Sequence, residues 1–187
     1  MPRLLMATAI LAGMTAWAAA DKNPVRNDIL KLAETIARGD RAGADQQAAE
    51  IAKNSQLENV MDLLKLRAKQ GLGIGSEPGA IKPDGIEAQI IYLSKKAMRP
   101  NDLAARSKDL TQAARITAAV ALVAQRSCPV AAKEGEKDPK QWERWSHDMY
   151  EEAIRLAEAA EAHNPKHVKT VASKLDTSCN ACHAVFK

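Results

Sequence analysis

The residues best able to do chemistry in this chain are Cys179, Cys182 and His183, in the run Cys179-Asn-Ala-Cys182-His183. Two thiols three positions apart share one face of a helix, where each can add to a vinyl group of a porphyrin, and the adjacent imidazole, one turn beyond Cys179, reaches iron from the same side. CxxCH is thus a signature of covalent haem attachment. With three cysteines and four histidines in 187 residues, chance produces such a run roughly once in a thousand chains of this content.

Other chemistries share these residue types. A dithiol redox centre needs CxxC at a helix N-terminus, where the dipole lowers the thiol pKa, within a βαβ context. Here the motif closes a helical pattern and no segment alternates at period two. A zinc site needs a fourth ligand, which His167 or Cys128 could supply. A structural disulfide between Cys179 and Cys182 does not suit a regular helix. His147, His163 and His167 are the other imidazoles; the last two flank Asn164-Pro165 at helix ends, most of a helix length from His183, and read as surface residues. Cys128, beside Pro129, is an unpaired thiol, so a buried side chain and an intermolecular disulfide holding a homodimer are both open.

The elements that must position the motif read as helices. Val168, Val171, Ala172, Leu175, Cys179, Cys182 and Phe186 form one stripe after Asn164-Pro165. Before it, Trp142, Trp145, Met149, Ala153, Leu156 and Ala160 keep a bundle-core spacing. Leu103, Leu110, Ala113, Thr117, Val120 and Ala124 mark a long helix from Asn101 or Asp102 to about Arg126, and Asp84 is expected to cap a shorter one with Ile86, Ile90, Leu93 and Ala97 on one face. Upstream, Asn23-Pro24 resembles a cap ahead of Val25, Ile29, Leu32 and Ile36, and two further patterns, at 44–51 and 57–64, make either a hairpin or one long broken helix. Residues 71–85 hold five of the nine glycines and two prolines, the mark of a loop. Gly71-Leu-Gly-Ile-Gly75 lacks the GxGxxG spacing and a preceding strand, which argues against a nucleotide cradle.

Composition agrees with an all-α protein: 46% hydrophobic but only 3% aromatic, dominated by residues that favour helices. Residues 1–20, with Arg3, an apolar stretch and Ala18 and Ala20 before Asp21, read as a cleaved signal peptide too short to span a bilayer, so the mature protein is expected in the periplasm. Net charge is +4, or +3 without Arg3, with six aromatic residues, which excludes an evident nucleic-acid surface. From Pro165 onward Lys166, Lys169, Lys174 and Lys187 face only Asp176, so Lys169 and Lys174 could steer an acidic partner.

The run Cys179-Asn-Ala-Cys-His-Ala-Val-Phe-Lys187 resembles the C-terminal CxxCHxxF[RK] pattern of the class II cytochromes c, the cytochrome c prime family. The resemblance is specific over these nine residues and extends loosely, through helix lengths and order, to about residue 101. It implies a four-helix bundle with one haem c, held by Cys179 and Cys182, with His183 as proximal ligand, Phe186 near the ring and Lys187 near a propionate. The family's distal residue sits on its first bundle helix. That residue is Met61 if the 57–66 helix plays that role, and Ile86, Ile90 or Met98 if the 86–97 helix does; Met61 also reads as ordinary core. The expectation is therefore an all-α chain: a leader (1–20), an N-terminal helical extension with its Gly-rich loop (21–85), and a haem-binding bundle (86–187). Its expected role is a one-electron carrier rather than an enzyme. The rivals are a five-coordinate haem protein that binds NO or CO as sensor or scavenger, and a haem-free zinc-binding or interaction protein.

Overall fold

The stretch Ile116 to Ala124 carries no charge on any face, and a helix that is apolar all round must be covered all round. In the computed structural model, which describes residue 23 and residues 25–187, all nine of these residues are buried. They belong to the longest of seven α-helices among the described residues: α1 (Arg26–Ala37), α2 (Arg41–Asn54), α3 (Leu57–Asp62), α4 (Ile86–Lys95), α5 (Pro100–Ala124), α6 (Pro139–Glu161) and α7 (Pro165–Phe186). No β-strand occurs among these residues, and none of the helices is long and apolar enough to cross a membrane. The leader expected at residues 1–20 and Pro24 lie outside the described residues.

Four helices close a bundle. α5 packs on α6, α6 on α7, α7 on α4, and α4 returns to α5 over a shorter contact. α1, α2 and α3 all pack on α5, which explains why a stripe read as one-sided is buried on every side. One hydrophobic cluster runs from Val25 to Leu175 through the extension and the bundle. Alanines at 113, 114, 118, 119, 121, 153, 157, 159 and 160 are buried in it, and their small side chains let α5 and α6 approach closely. At fully buried Leu32, Leu103, Leu122 and Leu175, each side chain contributes about 1.5–3 kcal/mol.

The patterns at 44–51 and 57–64 form two separate helices, α2 and α3, parted by extended Ser55 and Gln56, and the helical hairpin of the extension is the one that α1 makes with α2. Gly39 (φ 73°) ends α1, with the amides of Gly39 and Asp40 donating to Ile36 O and Thr35 O, a C-terminal cap that needs a left-handed residue. The chain then reverses so that α2 packs back on α1. The Asp40 side chain accepts from the Gly43 amide at 2.9 Å and starts α2. Asn23 Oδ1 accepts from Val25 N, and α1 begins at Arg26.

Three further boundaries differ from expectation. α5 starts at Pro100 itself, whose missing N–H and fixed φ suit the first helical position. α4 ends at Lys95, so Ala97 falls outside it and is exposed. Gly85 is the N-terminal flank of α4, and Asp84 caps nothing. Its carboxylate faces back into the Gly-rich loop. There it pairs with Arg67 Nε (3.1 Å) and accepts from the amides of Ile74 (3.1 Å) and Gly79 (2.9 Å). Arg67 Nη2 in turn donates to Ile74 O and Gly75 O. Two charged groups thus satisfy five backbone and side-chain bonds in a loop that has no ladder of its own. Burial works against ionisation of Asp84, but the Gly79 and Ile74 amides and Arg67 hold it below its ordinary range. Gly73 (φ 71°) lies beneath this clasp, where a Cβ would run into both Arg67 and Asp84.

Candidate functional site

α7 owes its start to Asn164, whose side chain accepts from the His167 amide at 3.1 Å, and to Pro165 in the first turn. Val168, Val171, Ala172 and Leu175 bury its first half, where it packs between α4 and α6. Past Leu175 the packing changes character. Ser178 Oγ donates to Trp145 O at 2.9 Å and ties α7 to α6. Beyond it Cys179, Cys182, His183 and Phe186, at relative positions 0, 3, 4 and 7 on one face, border a cavity of about 450 Å³ rather than a filled core. That volume is in the range of small-molecule and cofactor sites, roughly 300–1,000 Å³.

Its walls come from five helices. α6 contributes Trp142, Trp145, Ser146 and Met149; α5 contributes Thr117 and Ala124. α3 brings Leu57 and Met61, and α4 brings Glu87, Ile90 and Ile91. Trp142 is anchored from both ends: its Nε1 donates to Ala124 O at 2.7 Å, and its ring meets Phe186 edge-on at 5.0 Å. Trp145 meets the same phenyl at 6.2 Å. Phe186 therefore packs on two indoles at the closing turn of α7, while Lys187 is exposed at the rim. The hydroxyls in the wall are already engaged by backbone carbonyls: Thr117 to Ala113 O at 2.9 Å and Ser146 to Trp142 O at 2.7 Å.

The electrostatics separate the candidate chemistries. Burial pushes the Cys179 thiol up to about 12, with Glu87, Asp176 and Cys182 adding to it, and the Cys182 thiol up to about 11, with Cys128 adding to it. A dithiol redox centre needs the opposite shift. Burial holds the His183 imidazole below its ordinary range; Lys187 pushes the same way and Glu87 opposes. His183 is thus neutral near pH 7, with a nitrogen lone pair to offer a metal.

The structure brings Met61 into the same cavity as Cys179, Cys182, His183, Phe186 and Lys187. Ile90 lines it too, whereas Ile86 is sealed in the core and Met98 packs against the core elsewhere. His147, His163 and His167 are exposed. His167 is sixteen residues before His183 on α7, about 24 Å along a helix. Among the described residues no group of three or more His, Cys, Asp and Glu is disposed to hold a metal ion. Cys128 is half-buried and unpaired, its Sγ donating to Val130 O at 3.1 Å. A larger, more open hollow of about 680 Å³ lies between α1 and α5, far from the motif, where Arg115 pairs with Glu161.

The wall residues Glu58, Asp62, Lys65, Glu87 and Asp176 have no counterpart in the motif reading. Only Glu87 carried a usable signal, since on α4 it precedes Ile91 by one turn and breaks an otherwise apolar flank. No family model, curated protein or solved structure matches the chain.

Proposed function

We propose that the chain is an exported monohaem c-type cytochrome that carries single electrons, with its haem bound through Cys179 and Cys182 and ligated by His183. The observation that carries this reading is that the CxxCH face of α7 borders an apolar cavity of about 450 Å³ with Met61 in its wall. The residues present fit the group. Two thiols and a neutral imidazole share one helix face, and indole, phenyl and isoleucine side chains line the space beside them. When bound, haem supplies a one-electron iron couple whose potential follows from axial ligation and burial.

The protein's own residues do the rest. Cys179 and Cys182 would fix the porphyrin to α7, and His183 would hold the proximal side. Trp142, Trp145 and Phe186 would shield it, and Lys187 is available to a propionate. Met61 is the thioether available from α3 for the distal side. Export rests on the residues read as a leader and on the setting in which bacterial haem attachment occurs. Pyridine haemochrome analysis of the purified protein tests the reading: one covalent haem per chain is expected, and none would overturn it.

A second reading rests on Ile90, which lines the cavity beside Met61. If the distal face is isoleucine and Met61 is core, the protein binds NO or CO at a five-coordinate iron. The absorption spectrum of the reduced protein decides: a sharp low-spin spectrum unchanged by CO belongs to the carrier, a high-spin spectrum that shifts with CO to the gas binder.

A further inference from the structure

The mouth of the cavity has the opposite sign to the molecule. The whole chain is +4, yet the charged side chains that border the cavity are Glu58, Asp62, Glu87 and Asp176 against Lys65 and Lys187. Four carboxylates and two ammoniums leave this rim at −2. One ammonium is spoken for, because Lys65 Nζ is ion-paired with Asp62. Glu58 and Glu87 are exposed, and neither has an ion pair among the described residues. Beside this rim is apolar surface. Leu66 (36% exposed) and Tyr92 (40%) are the exposed large hydrophobic residues among the described residues. Each directly follows a cavity-lining residue, Lys65 and Ile91. Leu66 is held against the start of α4 by its bridge to Gly85. Apolar anchors next to charged groups of one prevailing sign suit a protein-docking surface, and that sign selects the partner.

The basic residues of α7 lie elsewhere. Lys174 and Lys169 precede His183 by nine and fourteen residues on that helix, about 14 and 21 Å along its axis. A partner attracted to them would sit away from the cavity mouth.

We infer that the cavity mouth, with Glu58, Glu87, Leu66 and Tyr92, is the docking surface for a redox partner protein that presents a basic patch. This rests on the reading of the chain as an electron carrier, since a haem held by Cys179, Cys182 and His183 would be reached through this mouth. The local field, rather than the net charge, then governs encounter within roughly one Debye length, about 10 Å at 0.1 M salt.

The test uses the holoprotein and two small oxidants of opposite charge. Reduced protein gives one electron to tris(1,10-phenanthroline)cobalt(III), which becomes cobalt(II), or to ferricyanide, which becomes ferrocyanide. Oxidation by the cationic cobalt complex is expected to slow several-fold as ionic strength rises from 10 to 200 mM, with no such slowing for anionic ferricyanide. In Glu58→Lys the cobalt reaction should lose that salt dependence. The reverse pattern, ferricyanide slowed by salt and the cobalt complex accelerated, is what the positive net charge of the chain dictates and would overturn the inference in favour of an acidic partner. A second arm does not depend on haem. Poly-L-lysine titrated into the isotope-labelled protein should shift the backbone amides of residues 58, 66, 87 and 92. Shifts absent there, or produced equally by poly-L-glutamate, would overturn it. Failure of the carrier reading would show separately, as absence of covalent haem in the starting protein.

Discussion

The thiols of the motif carry a testable mark of their surroundings. Cys179 is pushed up to about 12 by burial, so at pH 8 roughly one thiol in ten thousand is ionised. Alkylation of Cys179 in the folded, haem-free chain should therefore keep accelerating about tenfold per pH unit beyond pH 9, with Cys182, at about 11, reacting faster. In denaturant both rates should level off near the ordinary value of 9.0. Mass spectrometry of timed alkylation reads both, and rates that plateau near pH 9 in the folded chain would refute the burial. At the distal side, Met61→Ala in the haem-loaded protein should convert a low-spin reduced spectrum into a high-spin one that binds CO; an unchanged spectrum would return Met61 to the core. That Cys179, Cys182 and His183 share one helix face was legible in the sequence because CxxCH is local, its geometry set by helical spacing alone. Met61 was legible only as one option among four, because which helix faces α7 across a cavity depends on contacts that spacing does not encode.

Helices and loops carry the next set of expectations. Gln89 on α4 is 1% exposed, and neither its Oε1 nor its Nε2 has a partner. A buried amide left unpaired costs about 1–3 kcal/mol. Gln89→Leu should raise the thermal midpoint correspondingly, and a lowered midpoint would mean that the amide has a partner in solution. Asp84→Ala should cost about 2 kcal/mol through lost charge-assisted bonds. The sign with pH follows from its depressed folded pKa: the contribution is full above the ordinary 3.8 and fades as pH falls below it. Denaturant unfolding of both proteins at pH 6 and pH 3 checks this, since the gap between them should narrow at pH 3. Asp84 also shows where local reading fails. An aspartate just before an apolar helical run has the form of an N-cap, and helix propensity cannot register a guanidinium seventeen residues upstream that competes for it. The helices themselves were legible from their periodicity, and the start of α7 from Asn164-Pro165.

For the molecule as a whole, the hydrophobic cluster that joins α1 to α7 predicts one cooperative unit. In the chain without residues 1–20, Trp142 and Trp145 report one end of α6, whereas far-ultraviolet circular dichroism reports every helix. Their unfolding transitions should coincide. A separate early loss of helix would show that the extension folds apart from the bundle. The extension was foreseen as helical, but its packing across α5 was hidden, because Ile116 to Ala124 reads equally as a one-sided stripe and as a fully enclosed helix. The clasp in the Gly-rich loop has a consequence for scale. α3 and α4 each supply a wall of the cavity, and the chain between them is locked where they meet by Arg67 with Asp84 and by the Glu87 amide on Leu64 O at 2.9 Å. These bonds tie the chain after α3, which carries Met61, to the start of α4, which carries Ile90. The gap into which either side chain reaches is thus gauged by a salt bridge in a surface loop, outside the cavity itself.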